Sequence, residues 1–160
     1  MRHTLGIDPG LDGALAVVAD GQVAEVFDMP TLEIQRNRRT KREVDTRALV
    51  NFILFAKGSY PGLEAWIEKS QAMPKQGASS IFSYGQSYGI LLGALAALGV
   101  PVTKVHPTVW KKAMRVNSGK DGARQRASEI FPQCAATWKR KKDHGRAEAV
   151  LVAAYGVRVA

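Results

Sequence analysis

The chain has 160 residues, 46% of them hydrophobic, which suits one well-packed domain over residues 1–160 and leaves no room for two comfortable ones. No run approaches the about 20 apolar residues that span a bilayer, and Met1-Arg2-His3 leads straight into a strand with no signal-peptide pattern, so a cytoplasmic protein with no membrane partner is expected. With 23 Lys and Arg against 14 Asp and Glu, the net charge of +9 favours a polyanionic partner, nucleic acid first, while the lone Cys134 excludes an internal disulfide and a cysteine zinc site.

Leu5 and Ile7 alternate with Thr4, Gly6 and Asp8, the period-2 pattern of a strand. Pro9-Gly10 and Asp12-Gly13 supply turn chemistry, residues 14–19 read as the returning strand, and residues 22–27 as a third after Asp20-Gly21: an antiparallel meander. Asp8 therefore ends an interior strand, either to bond the turn amides or to do chemistry. Residues 35–43 hold too little apolar content to fold against a core and read as an exposed arm or loop. A helix starts at Asp45-Thr46, with Ala48, Leu49, Phe52, Ile53 and Ala56 at helical spacing, and closes at Lys57-Gly58.

Residues 63–68 form the fourth strand, with Glu68 at its carboxyl end. A small-residue loop containing Lys75 leads to a long helix, 80–98, that opens polar and aromatic (Phe82, Tyr84, Tyr88) and ends apolar. Gly85, Gly89 and Gly93 give it one face that admits a close neighbour, either the sheet or the same helix of a second subunit. Residues 101–107 are the fifth strand, parallel to the fourth through a right-handed crossover. A short helix (108–114), a turn at Asn117-Ser-Gly119, a basic helix (120–130), an irregular basic stretch (133–142) and a closing helix (146–155) follow.

Nine of the 23 cationic residues fall in two runs, Arg36, Arg38, Arg39, Lys41 and Arg42, then Lys139, Arg140, Lys141 and Lys142. Together with Lys75, Lys111, Lys112 and Lys120 they read as phosphate contacts. Glu148 is the anomaly of the last helix, since its neighbours Ala147, Ala149, Leu151 and Val152 are apolar and an ionised carboxylate among them needs a cation or donors. His144, four residues earlier, shares its face. Asp143 is either the helix N-cap or a member of the same site. Acids at the ends of separate elements, in apolar surroundings, suit a pair of Mg²⁺ ions that activate water against a phosphodiester; within a basic protein they make sense as metal ligands and not as DNA contacts.

Gly6-Ile-Asp-Pro-Gly10 on the first strand, Ile67-Glu68 on the fourth, Tyr84-Gly-Gln-Ser-Tyr-Gly89 on the long helix and Asp143-His-Gly-Arg-Ala-Glu-Ala149 on the last stand in a familiar order. The chain resembles the RuvC family of Holliday-junction resolvases, of the ribonuclease H-like superfamily, and especially its compact phage-type relatives. That resemblance implies an α/β fold: a five-stranded mixed sheet, three strands antiparallel and then two parallel, flanked by helices. It also implies a homodimer that cuts four-way DNA junctions by paired symmetric nicks, with Mg²⁺ or Mn²⁺ and 5′-phosphate and 3′-hydroxyl products, in the nucleoid of a bacterial or phage-infected cell. Asp8 and Glu68 match the family's first two acids and Glu148-Ala149 a later one. Position 145, where the family commonly has an acid, is Gly, which leaves Asp143 or His144 to complete the set. Lys111 and Lys120 match basic residues near the scissile phosphate, and the long helix matches the dimer contact, which would bring Phe82 and Tyr84 near the junction centre. Rival readings are a ribonuclease H-type or branched-DNA nuclease on the same fold, a sugar-kinase or actin-like ATPase, which would be far longer, and a non-catalytic junction-binding protein.

Overall fold

The computed structural model describes residues 2–159. Strands β1 (His3–Asp8), β2 (Ala14–Ala19) and β3 (Gln22–Asp28) form the antiparallel meander, with Asp8 opposite Ala14. A hairpin of β4 (Thr31–Arg36) and β5 (Arg39–Val44) makes a separate sheet. Then come α1 (Thr46–Ser59), β6 (Glu64–Glu68), α2 (Ala78–Ala97), β7 (Val102–Val105), α3 (Pro107–Ala113) and α4 (Gly122–Ile130). Two 3-10 turns, Pro132–Trp138 and Lys141–Asp143, run into α5 (His144–Val159). Since β6 lies parallel to β1, and β7 to β6, the sheet order is β3-β2-β1-β6-β7, the mixed α/β arrangement expected. No helix among the described residues is long and apolar enough to cross a membrane.

Strand parity sorts the core into two layers. Leu5, Ile7, Leu15, Val17, Ala65 and Ile67 pack beneath α1 and α2, against Leu49, Ile53, Leu91 and Leu95. Ala14, Ala16, Val18 and Trp66 face the other way, with Trp110, Ala127, Trp138 and the buried run Ala149–Ala154. The Asp45 carboxylate caps α1 by accepting from the Ala48 amide at 3.0 Å. On the α5 side the approach is close enough to involve backbone. A Cβ added to Gly6 would overlap the Ala149 carbonyl and the Ala153 amide, and the Thr4 hydroxyl donates to the Ala153 carbonyl at 2.8 Å.

Two expectations need correction, and one open alternative is narrowed. Residues 35–43 are not an arm or loop but most of the β4–β5 hairpin, paired from Thr31 opposite Val44 to Arg36 opposite Arg39. Its ladder satisfies backbone groups without apolar side chains, and the Asn37-Arg38 turn takes the positive φ values (49° and 61°) that tight hairpins need. Residues 133–142 are not wholly irregular, since most of them fall in the 3-10 turns Pro132–Trp138 and Lys141–Asp143. The row Gly85, Gly89, Gly93 does not face the sheet: Ser87, Leu91 and Leu95 occupy that side of α2, and added Cβ atoms on the glycines would meet nothing within 4 Å.

The contact at Gly6 predicts that Gly6→Ala, which forces α5 off the sheet, lowers unfolding free energy by about 2–4 kcal/mol. Gly58→Ala, on the open side of α1, should be neutral or stabilising by up to about 1 kcal/mol. Urea unfolding midpoints of the two variants check both.

Candidate active site

Parallel pairing of β1 and β6 puts Ile7 opposite Ile67, so Asp8 and Glu68 leave the sheet side by side at the carboxyl ends of neighbouring strands. The first residues of α5 come down on the same edge. Ligand atoms of Asp8, His144 and Glu148 all lie within 4.8 Å of one another. Close packing makes this possible: a Cβ on Gly145 would stand 2.5 Å from the Asp12 carbonyl oxygen and 3.1 Å from the Asp8 carboxylate. A larger residue there would push α5 away from β1.

The acids repel one another and are poorly solvated. Asp8 is raised to about 7, first by burial and then by the charges of Glu148 and Glu68, with the Gly10 amide and Lys111 acting the other way. Glu68 is raised by burial, against which the Trp110 indole N–H, donating to its Oε2 at 2.8 Å, pulls down. Lys111 Nζ stands 3.1 Å from Glu148 Oε1. Burial works against the charge of Lys111, but Glu148, with Glu68 and Asp8 behind it, holds its ammonium above the ordinary value. Asp8, Glu148 and His144 thus form a compact cluster, with Lys111 paired to Glu148 and the Glu68 charge acting on it from the neighbouring strand. Such a donor set fits divalent cations that favour oxygen and accept one nitrogen.

Asp143 is not brought into this cluster. It is buried, and both its oxygens accept from the Arg140 guanidinium, at 2.8 and 2.9 Å, which holds its carboxyl below the usual range. Arg146, the third residue of α5, makes a two-pronged bond to Asp28 at 2.7 Å on each side and donates to the Thr137 carbonyl. These ion pairs fix the entry to α5, and of the two candidates it is His144, exposed and beside Glu148, that could hold a metal ion with Asp8. No local pattern marks the Asp28–Arg146 pair, whose partners lie far apart in the chain, or the role of Trp110 beside Lys111.

The predicted cations fall in two groups. Lys120 and Lys141 line a recess with His144 and Glu148, Lys142 lines another with Asp12 and His144, Lys112 and Lys139 are exposed, and Arg140 is committed to Asp143. On the other side Arg36, Lys41 and Arg42 form one wall of a groove whose opposite wall is the start of α2, including Phe82 and Tyr84. Arg38 and Arg39 sit at the exposed hairpin tip, and Lys75 in the loop before α2. Phe82 is 74% exposed, which rules out ordinary core packing for it. Tyr84 shares a hydrogen bond of 2.8 Å with Ser70 and lines a second recess containing Glu68. Arg42 donates to Asp12 and to the Leu11 carbonyl, both at 2.8 Å, tying the hairpin to the turn that follows Asp8.

Because the folded-state pKa of Asp8 lies above its unfolded value, the native state keeps a proton there that the unfolded chain has lost. Metal-free stability should therefore fall as pH rises from about 4 to about 7 and then level off. Asp8→Asn removes that penalty and should stabilise the protein in EDTA at pH 8 by roughly 2–4 kcal/mol, the gain shrinking towards pH 4. Thermal unfolding at the two pH values measures it.

No family model matches the chain. It is 29% identical over 150 residues to the chloroplastic Holliday junction resolvase MOC1 of Chlamydomonas reinhardtii, an alignment covering 82% of this chain and 17% of that protein's length. Among solved structures, the Thermus thermophilus RuvC in complex with a Holliday junction substrate superposes with a TM-score of 0.59 at 19% identity, covering 99% of this chain and 96% of that one. A second Thermus thermophilus RuvC structure gives 0.56 at 15%, over 98% and 96%. The yeast mitochondrial Holliday junction resolvase Ydc2 gives 0.50 at 11%, over 98% and 78%. The chain thus has the RuvC fold, on a sequence similar to that of a Holliday junction resolvase.

Proposed function

We propose that the chain is a metal-dependent, structure-selective endonuclease that resolves four-way DNA junctions as a homodimer, by paired symmetric nicks that leave 5′-phosphate and 3′-hydroxyl ends. The observation that carries this reading is the meeting of Asp8, His144 and Glu148 within 4.8 Å, with Glu68 close enough to raise Asp8 by its charge, in a chain of net charge +9. The similarity to a resolvase and the fold shared with RuvC bound to a junction support it.

Asp8, flanked by Glu68 and by Glu148 with His144, would serve two ions, for which Mg²⁺ is the natural choice and Mn²⁺ a substitute that tolerates the imidazole. Bound there, such ions supply Lewis acidity, lowering the pKa of the attacking water and neutralising charge at the phosphodiester. Lys111 offers its ammonium beside Glu148, and Lys120 stands across the adjoining recess to meet a neighbouring phosphate. The hairpin arginines and the cluster Lys139, Lys141 and Lys142 hold the arms of the junction through their backbones. Phe82 and Tyr84 offer faces on which opened bases stack. The open glycine face of α2 seats the same helix of a second subunit, which would set two such pockets on opposing strands. The protein would act in the cytoplasm, on bacterial or phage DNA.

The test is a labelled four-way junction beside a linear duplex of matching sequence, in Mg²⁺ and in EDTA. Symmetric, Mg²⁺-dependent nicks confined to the junction are expected, and equal cutting of the duplex would overturn the junction reading. Asp8→Asn and Glu68→Gln should each lower the cleavage rate on the order of 10²–10³-fold or more while junction affinity stays within about threefold. For the dimer, Gly89→Glu places a charge on the open face without touching the core, so sedimentation should show a monomer with unchanged thermal stability and uncoupled single nicks.

A further inference from the structure

We infer that Trp110 is a positioning residue for the acid cluster: its buried indole N–H grips one oxygen of Glu68 and leaves the other free for a cation. This rests on the metal-site reading above. Trp110 is fully buried on α3, and its Nε1 donates to Glu68 Oε2 across 2.8 Å, although 42 residues separate the two. Glu68 Oε1 has no hydrogen-bond partner among the described residues.

The other two tryptophans show that the core does not demand this arrangement. Trp66 buries its N–H with no partner, and Trp138 donates to the Ser128 hydroxyl at 2.9 Å. Only Trp110 directs its donor at a carboxylate of the pocket. A neutral donor is the right kind of group for the task. A lysine at that point would pair with the carboxylate and compete with an incoming cation, whereas an indole N–H restricts the rotamer and leaves the negative charge in place. The next residue supplies the contrast, since Lys111 Nζ stands over the Trp110 ring at 5.2 Å and pairs with Glu148. Two successive side chains of one short helix thus reach acids on two different elements, one by a neutral bond and one by a charge. Because α3 begins directly after β7, which pairs with β6, its register is set by the same sheet that carries Glu68.

The experiment is Mn²⁺ titration by calorimetry and Mg²⁺ titration by tryptophan emission, on the full chain. Trp110→Phe should weaken Mn²⁺ binding by about 10-fold or more, the scale of lost support to a metal ligand. In a Glu68→Gln background the same change should cost less than about twofold. Trp66→Phe, which removes an indole of equal size from the same core layer, should leave Mn²⁺ affinity unchanged. In a Trp66→Phe, Trp138→Phe protein the emission of Trp110 should respond to Mg²⁺, a signature that does not depend on the Trp110→Phe variant folding. Equal Mn²⁺ affinity in wild type and Trp110→Phe, an equal loss in Trp66→Phe, or an emission blind to Mg²⁺ while wild type binds it would each overturn the assignment alone. A wild type that binds neither ion would overturn the metal-site reading, and this assignment with it.

Discussion

Everything at the reactive end depends on the backbone of α5 lying directly on β1. Gly6 leaves out a side chain that would hold the two apart, and Thr4 fastens them with a hydrogen bond to the Ala153 carbonyl. The helix axis is thereby placed so that its first turn ends over Asp8. Gly145 continues the same approach against the Asp8–Gly13 turn. Apolar burial alone would not achieve this, because a layer of leucines would keep the helix about 10 Å away and the acids out of reach of one another. Packing and chemistry are here the same distance.

The electrostatics follow from that distance. A basic protein gathers carboxylates where water is scarce, and the strain shows in the raised Asp8 and Glu68. Partial relief comes from inside the chain, through Lys111 at Glu148 and the Trp110 N–H at Glu68. Neither contact reaches Asp8 with a full opposing charge, and its carboxyl stays raised. The ion pairs of Arg146 with Asp28 and of Arg140 with Asp143 lie just outside it, and there opposite charges are matched with good two-pronged geometry. Matched charges build the wall and unmatched ones the site.

Much of this was legible in the sequence for reasons that are local. Asp8 and Glu68 end period-2 patterns, and a strand end is a position that pattern alone can locate. Glu148 stood out because a charge on an apolar helix face breaks the periodicity around it. What escaped was either non-local or independent of hydrophobic pattern. The β4–β5 hairpin is held by backbone ladders between charged strands, so its apolar content carried no signal. The choice between Asp143 and His144 turns on where α5 starts: with the helix beginning at His144, the Asp143 carboxylate is turned to Arg140 and the imidazole to Glu148. The orientation of the glycine row depends on which side of α2 meets the sheet, and the recurrence of glycine every four residues fits either side.

The hairpin is fastened to the rest of the chain at few places, chiefly Val44 at its base and Arg42 on the Asp12 turn. None of the sheet's hydrogen bonds passes through it. Its length, tip and charge can therefore change without disturbing the frame that holds the acids. In evolutionary terms it is a detachable module: selection can change its charge and shape, residue by residue at the tip, while the cluster of acids stays as it is.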